Sequence, residues 1–299
     1  MTNVLVLGAQ GMLGSMVTRV LSEQLELRVT GTSRSGGPAG SSLRGFDVRT
    51  DELGPLLDTG TYDWIINAIG VLGVHINERV SADVEKAVAI NALFPHHLAA
   101  ECARRGQRMI QIATDGVFSG TGGQYDETAR HDATDVYGKT KSLGEVPSQQ
   151  VIHLRCSIVG PELGAPSSLL GRVLASAPGT QLLGYAQHRW NGVTTLHFAR
   201  LCAAIIEGIE SPALLHVVPA NVVSKAELLE LALSAFGRDD VVVNPVPGPG
   251  APVDRTLATC DPESNRRLWH AAGYEQPPTI AEMLRELADH QALEAQTRP

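Results

Sequence analysis

The chain has 299 residues, 43% hydrophobic and 19% charged, a globular composition that excludes general disorder and whose length allows one large domain or two medium ones. With 24 Lys+Arg against 32 Asp+Glu the net charge is -8, and an acidic surface repels a phosphate backbone, so nucleic acid is not expected as a partner. No apolar run nears the roughly 20 residues that cross a bilayer, Met1-Thr2-Asn3-Val4 shows no basic leader, and Cys102, Cys156, Cys202 and Cys260 are spaced too widely for a redox pair or zinc knuckle; a cytoplasmic chain without membrane contact, disulfide framework or metal is expected.

Val4-Leu5-Val6-Leu7 reads as a buried strand. Gly11 to Leu25 puts Met12, Met16, Val20 and Leu21 on one helical stripe, and Leu27 to Thr32 returns to strand character, completing one βαβ unit. The turn inside it, Gly8-Ala9-Gln10-Gly11-Met12-Leu13-Gly14, lies where a strand end meets a helix N-terminus. Small residues there let the backbone approach a pyrophosphate, which makes Gly8, Gln10, Gly11, Met12, Leu13 and Gly14 candidates for dinucleotide contact; a plain tight turn is the other reading. Where an NAD-type fold usually ends its second strand with Asp or Glu, this chain has Thr32-Ser33-Arg34. A hydroxyl and a guanidinium suit a 2′-phosphate that a carboxylate would repel, so Ser33 and Arg34 point to NADPH, against the alternative of a solvated loop arginine.

Further strands are expected at Trp64 to Ala68, Met109 to Ala113 and Val151 to Arg155, separated by helices near Ala82 to Arg105 and Val136 to Glu145. Five or more parallel strands follow, and Asn67, Ala68 and Ile69 at one strand end are counted with the cofactor residues. His96-His97 is the one adjacent histidine pair, and neighbours on a helix diverge by about 100° and seldom share a metal ion. Thr114 ends the next strand at the edge where ligands collect, with Asp115, Val117 and Phe118 behind it as substrate contacts, although Asp115-Gly116 could be only a turn. Tyr137 and Lys141, four apart, share a helix face, and a phenol with an ammonium beside it exchanges its proton more readily. By spacing alone any surface Tyr-x-x-x-Lys pair would look the same.

Beyond about residue 156 the alternation weakens, and Pro and Gly accumulate at Gly160-Pro161 and from Pro245 to Gly250. Helices are expected at Phe198 to Ile209, Lys225 to Phe236 and Ile280 to Ala295. The reading is a dinucleotide-binding domain over residues 1–160 and a smaller, mostly helical substrate-binding part over 161–299, with an approximate boundary that the chain can cross back over. Arg189, Trp190 and Arg255 are its candidates for pyrophosphate and base contacts.

The G-x-x-G-x-x-G turn, the strand-end Thr114 and Tyr137-x-x-x-Lys141, in that order, resemble the extended short-chain dehydrogenase/reductase family. Ala113 to Gly120, Tyr125-Asp126-Glu127, Tyr137 to Glu145 and Leu154 to Gly160 are similar to its branch of dTDP-4-dehydrorhamnose reductases and related nucleotide-sugar 4-keto reductases, a likeness that fades beyond about residue 160. The resemblance implies a Rossmann-type, doubly wound α/β sheet with Tyr137 as acid, Lys141 as its tuning partner and ribose contact, and Thr114 as third member of a triad. It also implies adenine contact by Asp47-Val48 and an active-site place for Asn91; a loop-opening acid and a helix-interior structural role are the alternatives. The implied substrate is a nucleotide-diphospho-4-keto-6-deoxy sugar, dTDP-linked first, reduced at C4 with NADPH. Two positions depart from the pattern: Gly116 stands where the reductases carry Tyr, and Ile158 where they carry a Trp. Sugar-nucleotide dehydratases place Asp-Glu after the threonine, so Gly116 removes their base. A nucleotide-sugar epimerase and a non-catalytic regulatory subunit, resembling the methionine adenosyltransferase beta subunit, stay as alternatives, and a homodimer is compatible with the sequence.

Overall fold

Along β1 (Thr2–Leu7), Val4 and Val6 enter one apolar cluster while Leu5 and Leu7 enter another, all four shut off from solvent. Side chains alternate across a strand, so a strand apolar on both faces must lie inside a sheet covered on both sides. The computed structural model, which describes residues 1–297 apart from 39, 165 and 167, has that arrangement. After β1 come α1 (Met12–Ser22), β2 (Leu27–Ser33), β3 (Leu43–Gly45), α2 (Leu53–Asp58), β4 (Trp64–Asn67), α3 (Ser81–Ala87), α4 (Phe94–Arg105), β5 (Arg108–Ala113), α5 (Val136–Leu143) and β6 (Val151–Arg155). The second half adds β7 (Ile158–Val159), α6 (Leu169–Leu174), β8 (Gln181–Tyr185), β9 (His188–Trp190), β10 (Val193–Thr194), α7 (Thr195–Ile206), β11 (Leu214–His216), β12 (Val223–Ser224), α8 (Lys225–Ala235), β13 (Val242–Val246), β14 (Val253–Asp254), α9 (Pro262–Ala271) and α10 (Ile280–Thr297).

Seven strands make the main sheet in the order β11-β6-β5-β4-β1-β2-β3, every neighbouring pair parallel, which is the expected Rossmann-type α/β fold. From β1 the chain winds outward through β2 and β3, then crosses back to β4 and winds the other way. The switch point therefore falls between β1 and β4, and a ligand crevice opens beyond their carboxyl ends. On one face α1 buries Leu13, Met16, Val17, Val20 and Leu21 and packs against α7. Every residue of α7 but Arg200 is buried, because that helix also touches α9 and α10 on its far side.

After residue 160 the chain returns to the sheet, where β11 sets Leu215 beside Leu154 of β6. The second half is less helical than its periodicity suggests: β8 pairs with β13, β9 lies between β12 and β14, and β10 pairs with β7. These strands run only two to five residues, too short to establish a period against flanking Pro and Gly. The stretch read as one helix from 82 to 105 carries a π-helical turn at Val88–Leu93, a type of bulge that gathers at functional sites. Among the described residues no helix is long and apolar enough to cross a membrane, and no cluster of His, Cys, Asp and Glu could hold a metal ion.

Candidate active site

Gly8 follows β1 with φ +79°, a left-handed conformation that glycine takes without strain. Its N–H donates to Thr32 Oγ1 at 3.1 Å. Gly14 packs on it so closely that a Cβ there would run into the Gly8 carbonyl, which draws α1 against the turn. Gly11 begins that helix with no side-chain cap and no acidic residue in the first turn, so its positive end is left to a ligand.

A groove of about 540 Å³ opens at this turn, lined by Gly8, Gln10, Gly11, Ser33, Arg34, Asp47, Val48, Ala68 and Ile69 among the residues assigned to the cofactor. Six others do not line it: Tyr137 and Lys141, which stand on α5, and four nearer the turn. Met12 stands in the first helical turn, Leu13 and Gly14 are buried beneath, and Asn67 is buried with its amide donating to Gln111 Oε1 at 2.9 Å. Leu13, Gly14 and Asn67 hold turn and strand together. Ser33 Oγ is itself turned to Gly36 O at 3.3 Å. The groove also takes in Arg49 and Lys86, which carry no motif, and with Arg34 they give it three cations, a charge suited to a phosphorylated dinucleotide.

β5 delivers Thr114, and the chain turns at once through a 3₁₀ turn, Asp115–Val117. Thr114 Oγ1 accepts from Gly116 N at 3.1 Å and donates to Asp115 Oδ1 at 3.3 Å. From α5 the Tyr137 ring passes over Gly116, where an added Cβ would stand 2.8 Å from Cε1. Burial pushes the phenol up to about 12; the Thr114 hydroxyl opposes the rise, and Asp115 and Asp135 add to it. Lys141 donates from Nζ to Ile112 O at 2.9 Å, and burial brings it down to about 8 against the pull of Glu145. Spacing puts Tyr137 and Lys141 on one helix face, but the charges bearing on the phenol are Asp115, Asp135 and Arg255. Asn91, inside the π-helical turn, accepts from Val71 N at 2.8 Å and donates to Val71 O at 2.9 Å and Thr140 Oγ1 at 3.3 Å. It braces the loop after β4 against the helix that carries Tyr137.

Val117 and Phe118, read as substrate contacts, are wholly buried with Leu257, and Phe118 stacks on Tyr125 at 4.3 Å. The 3₁₀ turn folds both under the site, so they support it from below. Arg189 is exposed near Glu227 while Trp190, next along β9, is buried, because successive strand residues face opposite ways. Arg255 donates from Nε to Phe118 O at 2.8 Å and stands close enough to Asp115 and Tyr137 to act on both. Beside them lies a residue the sequence did not single out: Lys225, first in α8, with Nζ 5.3 Å from the Trp190 ring centre and within the field of Asp115 and Arg255.

Residues 1–256 match the family described as RmlD substrate binding domain. Over 173 residues the chain is 35% identical to a protein named as a probable low-salt glycan biosynthesis reductase of Haloferax volcanii, a match that takes in 56% of this chain and 56% of that one, so it spans little more than half that relative's length. Over 291 residues it is 25% identical to a dTDP-4-dehydrorhamnose reductase of Streptomyces griseus, covering 91% of this chain and 88% of the other. The crystal structure of dTDP-4-dehydrorhamnose reductase from Bacillus anthracis in complex with NADP shares the fold, with a TM-score of 0.75 over 97% of this chain and 100% of that one at 17% identity.

Proposed function

The chain belongs to the RmlD substrate binding domain family, and from that membership and the side chains gathered around Tyr137 we propose that it is an NADPH-dependent reductase acting on the C4 ketone of a nucleotide-diphospho-4-keto-6-deoxy sugar. The observation that carries the reading is Tyr137 itself, a half-buried phenol beside the Thr114 hydroxyl at the carboxyl edge of the parallel sheet, with its proton held up to about pH 12. Such a group keeps its proton until a carbonyl oxygen gaining negative charge takes it. Thr114 offers a hydroxyl to the same oxygen, and its other contacts, to Gly116 N and Asp115, fix where that hydroxyl sits.

NADPH, when bound, supplies the hydride. Gly8, Gln10, Gly11 and the first turn at Met12 are assigned to its pyrophosphate, Arg34 with Ser33 to its 2′-phosphate, Asp47 and Val48 to adenine, Ala68 and Ile69 to the groove wall, and Lys141 to a ribose. The three cations of the groove and the uncapped end of α1 support this assignment, as does the NADP named in the Bacillus anthracis crystal. On the other side of Tyr137, Asp115, Trp190 and Arg255 are assigned to the substrate. The Streptomyces griseus relative's name puts a dTDP carrier first. With Gly at position 116 the chain lacks the carboxylate base of an elimination, so its keto sugar must come from a separate dehydratase.

The test is a panel of 4-keto-6-deoxy sugars on dTDP, UDP and GDP, each assayed with NADPH and NADH. Consumption of NADPH with one member and formation of a C4 hydroxyl supports the reading. Absence of turnover across the panel, with binding to another enzyme whose kinetics then change, would replace it with the regulatory one.

A further inference from the structure

Lys225 is a cation for which the proposed reaction has no task. It begins α8, but the end of that helix is already occupied, because Ser224 and Glu227 each accept from the other's backbone N–H in a capping box. Its ammonium has the Trp190 ring at 5.3 Å and neither a hydrogen bond nor an ion pair among the described residues. Arg255, within its field, uses Nε on Phe118 O, and the remainder of that guanidinium has no partner among the described residues. Asp115 is a carboxylate within the field of both cations. Two positive charges against one negative leave an excess in a sheltered place, and such a charge is costly until a counter-ion arrives. Two further polar atoms nearby, Trp190 Nε1 and His188 Nε2, are buried without a partner among the described residues, and His188 feels both Lys225 and Arg255.

Resting on the nucleotide-sugar reading above, we propose that Lys225 and Arg255 clamp an anionic group of the substrate, the phosphate attached to the sugar or a carboxylate carried by it, beside Asp115. Asp115 keeps the clamp from being doubly charged when it is empty, and the arriving anion completes its neutralisation. Lys225 is then a specificity-determining residue supplied by the second half of the chain to a site whose proton donor comes from the first.

The experiment is calorimetric titration of the whole protein and its Lys225→Met and Lys225→Arg variants with dTDP, UDP and GDP, and with UDP-glucuronate against UDP-glucose. NADPH titration of each variant checks that the fold is intact. A charge-assisted contact predicts that Lys225→Met weakens the nucleoside diphosphate bound by wild type about tenfold or more, while Lys225→Arg keeps most of the affinity and NADPH binding is unmoved. If nucleoside diphosphate affinity is unchanged but a wild-type preference for UDP-glucuronate over UDP-glucose disappears in Lys225→Met, the clamped anion is the sugar carboxylate. If neither affinity responds in a variant that still binds NADPH, or wild type binds none of these nucleotides, the clamp is refuted. No titration requires turnover, so a protein that binds dTDP through Lys225 yet reduces no keto sugar would refute the reductase reading alone.

Discussion

A single methyl group at position 116 tests the arrangement around Tyr137. In Gly116→Ala the new Cβ stands 2.8 Å from Tyr137 Cε1 and 3.3 Å from Thr114 Oγ1, so the ring must give way. Displacement of a reacting group by a fraction of an ångström lowers the chemical step more than binding, and kcat should fall by about tenfold or more with KM little changed. A drop confined to KM would mean that the ring is not the reacting group. Tyr137→Phe keeps the ring and removes the proton; kcat should fall by roughly 10²–10⁴ while NADPH affinity, read by titration, stays level. At the other end of the site, Arg34→Ala should remove most of a preference for NADPH over NADH, since one charge-assisted phosphate contact is worth about 1.5–3 kcal/mol; equal affinities in the wild type would sink the 2′-phosphate assignment. Thr114, Tyr137 and Lys141 are legible in the sequence because each is tied to a local pattern, a strand end or a helical spacing. Lys225 is not, since a lysine after a helix-capping serine reads as solvated and only the tertiary fold brings it to Asp115. Val117 and Phe118 mislead for the converse reason: the strand end is visible, but the 3₁₀ turn that buries them is not.

The π-helical turn Val88–Leu93 shows what an element adds to such residues. Its Asn91 is buried and joins Val71, on the loop after β4, to Thr140 on the helix that carries Tyr137. Asn91→Leu would leave Val71 N–H and C=O unpaired in the interior, a loss of about 2–4 kcal/mol that urea denaturation would measure. Because the same bonds hold α5 against the loop, kcat should fall as well. Full activity in a destabilised variant would show that the brace serves the fold alone. The central strands are readable in the sequence because burial on both faces turns each into an apolar run, as in Val4 to Leu7 and Trp64 to Ile66. The helical period shows through the π turn, so the segment from 82 to 105 reads as continuous, while the inward turn of Asn91 depends on one extra residue in the helical repeat.

At the scale of the molecule, the two halves are joined through Glu127, in a loop of the first half. Its carboxylate accepts from His216 N at 2.8 Å in β11, and from Thr259 Oγ1 at 2.7 Å and Cys260 N at 2.8 Å ahead of α9. From the other side of the joint, His216 Nε2 meets Arg155 at 2.8 Å, and Arg155 in turn pairs with Glu145 on the chain that follows Lys141. The second half therefore docks on a charge network that reaches back to the site. Burial alone would raise the Glu127 carboxyl, but the N–H groups of His216 and Cys260 and the Thr259 hydroxyl outweigh it and hold the group down at about 2. A group depressed from its ordinary value near 4.5 contributes stability that is complete above pH 4.5 and is lost as pH falls toward 2, because the unfolded chain takes up the proton first. Glu127→Gln keeps the shape and replaces one acceptor oxygen with a donor that must face an existing donor. It should cost about 2 kcal/mol near neutral pH. As pH drops from 4.5 toward 2 the wild type loses the same contribution, so the thermal midpoints of the two proteins should converge. Midpoint curves that run parallel through this range would show that Glu127 does not carry the joint, and that the halves are held by the apolar packing of α7 against α1.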